Sequence, residues 1–155
     1  MYLGHSVDRP GAPLRLRVPH AGQDARAFVR EAQRSISWGG PGSVAGVEEA
    51  ERGVVAWGAP VVGESLAVIL DALLTEGVPL PVELAISISM GVAERLGKGA
   101  RRVHGDLAPH HVIVGYDGSV ALIDPAGPDE AAERASAIGR LGYRSPEHVK
   151  GEPVA

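Results

Sequence analysis

Cysteine is absent from the 155 residues, which excludes disulfides, thiolate metal sites and thiol catalysis together. Aromatic residues amount to only 4% of the chain, so few large side chains are available to fill a core and modest stability is expected. Positive charge is scarce as well. Lys and Arg number 15 against 19 Asp and Glu, for a net charge of −4 and a pI near 5.8. A broad nucleic-acid surface is therefore excluded, because neutralising phosphates takes clustered cations. No run approaches the roughly 18 apolar residues of a membrane span, and the opening MYLGHSVDRPG has neither the basic start nor the apolar core of a leader. The expectation is a soluble, cytoplasmic protein with no nucleic-acid and no membrane partner.

What the chain does have is an ordinary globular balance, 45% hydrophobic and 22% charged, with 21 Gly and 12 Pro that imply many turns. This length supports one sizeable core, so a single domain is expected. Leu14, Leu16 and Val18 alternate with Arg15 and Arg17 and end at Pro19, the period-two pattern of a half-buried strand. One of those arginines must face outward or meet a carboxylate. A helix is predicted over 24–36, with Asp24 as its cap, Phe28, Ala32 and Ile36 on one face and Glu31 near the edge of that face. The Gly-rich 37–46 reads as a connector.

Residues 54–57 and 61–62 read as strand or extended hinge. Residues 64–74 read as a helix with Leu66, Ile69, Leu70 and Leu73 in register and Gly77 as its stop. The longest helical pattern runs over 82–96, with Val82, Ala85, Ile86, Ser89, Ala93 and Leu96 as the expected core stripe. The strongest local signal follows. Residues 112–114 and 120–123 are β-rich and flank Asp117-Gly118, the turn chemistry of a hairpin. The polar 127–142 reads as a loop with one helical turn around 130–137.

A hairpin brings the residues before its first strand and after its second to one end, so His104, Asp106, His110 and His111 should lie near Asp124. Converging carboxylates beside strand ends suit a Mg²⁺–phosphate site, since Mg²⁺ prefers hard oxygen ligands. From spacing alone, two turn-forming aspartates account for the pattern equally well. A transition-metal site from His104, His110 and His111 is disfavoured, because adjacent residues at the start of a strand point to opposite faces.

HGDLAPHHVIV followed by ALIDPAG resembles the catalytic-loop and metal-loop pair of protein kinases, His-Arg-Asp-Leu-Lys-Pro-x-Asn and Asp-Phe-Gly. GRLGYRSPEHVKGEP resembles the end of the activation segment in bacterial Ser/Thr kinases, with Ser145, Pro146 and Glu147 at its Ala-Pro-Glu. FVREAQ resembles the regulatory helix, GESL the start of the helix after the hinge, and PLRLRVP the strand bearing the phosphate-binding lysine. The five stretches are collinear. The resemblance implies an α+β, protein-kinase-like fold in a single partial domain. Within it, about 1–58 would be a remnant of the N-lobe, and about 59–155 the hinge and an incomplete C-lobe.

Position by position, the resemblance makes Asp106 the candidate catalytic base, His104 its structural support and Asp124 a metal ligand. Glu31 is the helix glutamate, and Arg17 occupies the lysine position. It implies ATP and Mg²⁺ as cofactors wherever activity remains. Several replacements weaken that chemistry. Arg17 can pair with Glu31, but its planar fork does not replace a compact ammonium at the phosphates. His111 stands at the position of the second metal-binding asparagine, where a nitrogen ligand suits Mg²⁺ poorly. Ala108 replaces the catalytic-loop lysine, Gly105 the arginine before the base, and Pro125-Ala126 the Phe-Gly of the metal loop. Set against the resemblance, the chain is expected to lack the glycine-rich loop and most of the helical C-lobe. Ser136 is the one hydroxyl between Gly127 and Gly142, hence the one phosphosite available there.

Three functions compete. The first is a pseudokinase or non-catalytic fragment, with weak or no ATP-dependent phosphotransfer, that acts through a protein partner at its kinase-like surface or at a missing C-lobe. The second is an active Ser/Thr kinase using Asp106 and Asp124. The third is a small-molecule phosphotransferase of the aminoglycoside or choline-kinase kind, favoured by His-Gly-Asp and Ile-Asp-Pro and opposed by GYRSPEH.

Overall fold

The computed structural model describes residues 2–5, 13–51, 53–98, 103–125, 142–150 and 152. The chain divides into two compact units, Met1–Val61 and Val62–Ala155. Among the described residues, no helix is long and apolar enough to cross a membrane.

In the first unit the alternating arginines and leucines do form a strand. β1 (Tyr2–His5), β2 (Pro13–Arg17), β3 (Gly46–Ala50) and β4 (Gly53–Gly58) make an antiparallel sheet in the order β1-β2-β4-β3. The connector expected over 37–46 is shorter than foreseen, because helix α1 (Ala25–Trp38) runs through Trp38 and β3 begins at Gly46. β3 was not expected at all. It is an edge strand whose exposed Glu48 and Glu49 erase any apolar alternation.

α1 starts where its cap predicts, with the Ala27 amide donating to Asp24 Oδ2 at 2.9 Å. It buries Phe28, Glu31, Ala32 and Ser35, while Ile36, expected on that face, is exposed. The core is correspondingly small, made of Phe28, Ala32, Val44 and Ala56 with Val47 and Val54 packed against it. β2 also differs from expectation in its faces. Arg15 is only 6% exposed while Leu14 and Leu16 are half-buried, and the Arg15 guanidinium donates to the Gly42 carbonyl. That backbone acceptor helps make the burial tolerable.

In the second unit, β5 (Gly63–Ser65), β6 (Val112–Gly115) and β7 (Val120–Leu122) form an antiparallel sheet in that order. Helix α2 (Leu66–Thr75) is capped by Ser65, so Glu64 belongs to β5 rather than to the helix. Leu66, Ile69, Leu70 and Leu73 are half-buried as predicted. The helix closes as Gly77 and Val78 donate to the carbonyls of Leu74 and Leu73.

Helix α3 (Val82–Lys98) packs on β7 with a face that shares only Ala85 and Leu96, both half-buried, with the expected stripe. Val82 and Ile86 are 67% and 53% exposed, while Ile88 is buried and Gly91, Val92 and Arg95 are half-buried. The reason is steric. A Cβ on Gly91 would stand 2.6 Å from a methyl of Val120, so the glycine sets which face lies down on the strand. Arg95 secures it by donating to the Val120 carbonyl at 2.8 Å. The hairpin itself is as predicted: Val112 pairs with Leu122 and Val114 with Val120, and the Ser119 amide donates to Asp117 Oδ1 at 2.9 Å in the turn. Helix α4 (Pro146–Lys150) ends the described structure, apart from residue 152.

Candidate functional site

The first unit holds the Arg17 and Glu31 candidates. Arg17 is the last residue of β2, and Glu31 lies on the sheet-facing side of α1. An arginine Nη2 donates to Glu31 Oε1 at 2.7 Å. The other carboxylate oxygen accepts from Gln23 Nε2 at 3.3 Å, and Gln23 in turn meets His20 Nδ1 at 2.6 Å. Both oxygens of Glu31 are thus engaged in a largely buried, charge-assisted network.

The second unit holds the corner at the open end of the β6–β7 hairpin. Its geometry begins with a turn. Pro109–His111 forms one turn of 3-10 helix, closed by the His111 amide donating to the Ala108 carbonyl at 2.9 Å. The Ile123 amide donates to the His111 carbonyl at 3.0 Å, which ties this turn to the end of β7. Ahead of it, Gly105 has φ 77, a left-handed conformation that glycine adopts without strain, and the largely buried Asp106 follows directly.

The imidazoles are turned inward. His111 is 6% exposed, and its Nδ1 lies 2.5 Å from the Asp106 carbonyl oxygen and 3.7 Å from Asp106 Oδ2. A carbonyl only accepts, so Nδ1 carries the proton of that bond. His104, buried beside it with ring centroids 6.0 Å apart, donates from Nε2 to the Ile123 carbonyl at 3.1 Å. Burial first, and the nearby His111 second, push its pKa down from 6.5 to about 4, outweighing the Ile123 bond and the fields of Asp106 and Asp124. His104 is therefore neutral at ordinary pH.

Asp124 follows β7 with φ 55, the one non-glycine residue with positive φ among the described residues. Its half-buried carboxylate sits within electrostatic range of His104. Such a backbone is uncommon outside glycine and is tolerated best by Asp and Asn. Pro125 behind it is buried.

The turn also changes the relation of the two adjacent histidines. They were expected at the start of a strand, pointing apart. In the 3-10 turn the rings lie side by side, centroids 4.0 Å apart. Asp106, His110 and His111 each bring one donor atom within 4.8 Å of the others. The sequence set His110 and His111 beside His104 as a disfavoured metal group, and in the structure Asp106 takes the place of His104 in that cluster. The signal for the turn was Pro109, which favours a helical first turn over an immediate strand.

Of the activation-segment candidates, Ser145 precedes α4, Pro146 opens it and Glu147 lies in its first turn, with the Val149 amide donating to the Ser145 carbonyl at 3.1 Å. Ser136, the helical turn expected over 130–137 and Ala126 lie outside the described residues.

No protein-family model matches the sequence, and no curated protein matches it. Solved structures do. The crystal structure of the Mycobacterium tuberculosis PknI kinase domain matches with a TM-score of 0.65 at 23% identity. A crystal structure of a cysteine-to-alanine mutant of the same domain matches with a TM-score of 0.64 at 24% identity. Each match covers 99% of this chain and 60% of the kinase domain. The chain therefore has the fold of a bacterial Ser/Thr kinase domain over about 60% of such a domain's length.

Proposed function

We propose that this chain is a protein-kinase-like binding domain with weak or no ATP-dependent phosphotransfer, acting through a protein partner. The observation that carries this reading is the state of His111. At the position where the resemblance calls for an oxygen ligand to a second Mg²⁺, the chain has a buried imidazole already bonded to the Asp106 backbone. Asp124 suits a Mg²⁺ ion as an oxygen ligand, whereas His111 does not. The residues present thus do not fit a two-metal nucleotide site, and no phosphotransfer step is derived through one. Further support comes from Arg17, whose guanidinium is committed to Glu31.

A second reading, an active Ser/Thr kinase with ATP and Mg²⁺, draws its support from Asp106 and Asp124, the two carboxylates that remain. Phosphate transfer from labelled ATP to the chain itself and to generic Ser/Thr peptides separates the two. The proposed function expects at most weak transfer, equal in the wild type, Asp106→Asn and Asp124→Asn. Transfer that disappears in both variants would establish the active kinase instead.

A further inference from the structure

The geometry points to a binding site for a borderline transition-metal ion, Zn²⁺ in the first instance, formed by Asp106, His110 and His111. Two imidazoles and a carboxylate are a donor set that Zn²⁺, Co²⁺ and Ni²⁺ accept and that Mg²⁺, which seeks oxygen, does not. The three donors come from a six-residue stretch that the 3-10 turn folds back on itself. Without that turn, two consecutive side chains diverge and the site does not form. With it, all three donor atoms lie within 4.8 Å of one another. Donors bound to one tetrahedral ion at about 2.0–2.1 Å stand roughly 3.3 Å apart. Closing the cluster therefore takes side-chain shifts on the order of an ångström or two, within reach of rotations about χ1 and χ2.

The supporting shell is already in place. The His111 ring is held against the Asp106 backbone and packed on the His110 ring, so two of the three ligands need not be recruited from solvent. Such outer contacts orient imidazole ligands and strengthen metal binding. The His110 side chain lines a surface cleft with Pro109, Ala67, Leu70, Asp71, Leu74 and Tyr143. Three protein ligands leave a fourth position for water or an added ligand, the arrangement of an open zinc site. This site does not depend on the proposed kinase-like function. It employs Asp106 as an ion ligand, so an occupied site withdraws that carboxylate from service as a base.

The test uses the full chain, stripped with EDTA and then titrated with Co²⁺ and Zn²⁺ in nucleotide-free buffer. The wild type should take up one ion per chain and retain it through dialysis. Bound Co²⁺ should show the visible absorption of a low-coordinate nitrogen–oxygen site, and millimolar Mg²⁺ should not displace it. Removing an outer contact typically weakens metal sites about 10–100-fold, so loss of a ligand in His110→Ala or Asp106→Asn should cost at least about 100-fold. A triple variant, His5→Ala/His20→Ala/His148→Ala, should bind as the wild type does. If His110→Ala fails to fold, as judged by circular dichroism, the isosteric Asp106→Asn decides the matter. It is joined there by the imidazole NMR resonances of the wild type, where Zn²⁺ should move His110 and His111 and leave His20 in place. No retained ion in the wild type, undiminished binding in Asp106→Asn, or binding lost in the triple variant would each overturn the proposal.

Discussion

The two units bury polar side chains by opposite means. In the first, charge stays and is matched: Arg15 donates to a carbonyl, and Arg17 meets Glu31 at 2.7 Å with Gln23 behind it. In the second, charge is removed: His104 is held neutral by burial, its pKa down to about 4, with Ile123 accepting from its ring. A chain with only one Phe and two Trp has little apolar bulk to spend on its cores, and both units fill the shortfall with hydrogen-bonded polar groups. The difference lies in what disturbs them. A matched pair fails when a partner is deleted, and a neutralised imidazole fails when protons become plentiful.

Acid should give the largest effect. The unfolded chain protonates His104 near 6.5 and the folded chain only near 4, so below 6.5 the unfolded state binds more protons. The stability that His104 contributes is fully present above 6.5 and declines as pH falls towards 4. The full shift corresponds to about 3 kcal/mol. Urea titrations followed by helix ellipticity at pH 7 and pH 4, in EDTA, should show that loss in the wild type and its absence in His104→Gln. Equal losses in both proteins would show that the second unit does not rely on neutralisation.

Deleting one partner of the matched network comes next. Glu31→Ala removes one acceptor shared by Arg17 and Gln23 and should cost the first unit about 2 kcal/mol. Trp38 and Trp57 both belong to the first unit, so tryptophan fluorescence in urea reads that unit alone. An unchanged midpoint would mean that the pair contributes nothing beyond geometry. The smallest effect should come from Asp24→Ala, which removes the α1 cap and should shift the same transition by about 1 kcal/mol. That variant calibrates how much of the Glu31 effect is merely loosened helix.

The same contrast governs what could be read in advance. The hairpin was legible because period-two alternation and Asp-Gly chemistry are local, and the start of α1 because a cap is one residue long. β3 was hidden by Glu48 and Glu49, since an edge strand needs no apolar face. The packing face of α3 was legible only in part, at Ala85 and Leu96, because apolar residues occur around much of that helix, and the deciding contact, Gly91 against Val120, is non-local. Asp106, Asp124, Arg17 and Glu31 were legible as motif positions. The approach of His110 to His111 was not, because it depends on one 3-10 turn that inverts the alternation expected of a strand.

The hairpin turn carries a consequence of another kind. Aspartyl-glycine peptides age by attack of the following amide nitrogen on the side-chain carboxyl, which inserts an extra carbon into the backbone as isoaspartate. Here the Asp117 carboxylate accepts from the Ser119 amide, and the Ser119 hydroxyl first and that amide second hold its pKa low. It remains ionised, hence a poor electrophile, and one of its oxygens is held by the Ser119 amide. The bond that makes the turn also slows its chemical ageing, so isoaspartate at this position would be a record of time the chain has spent unfolded.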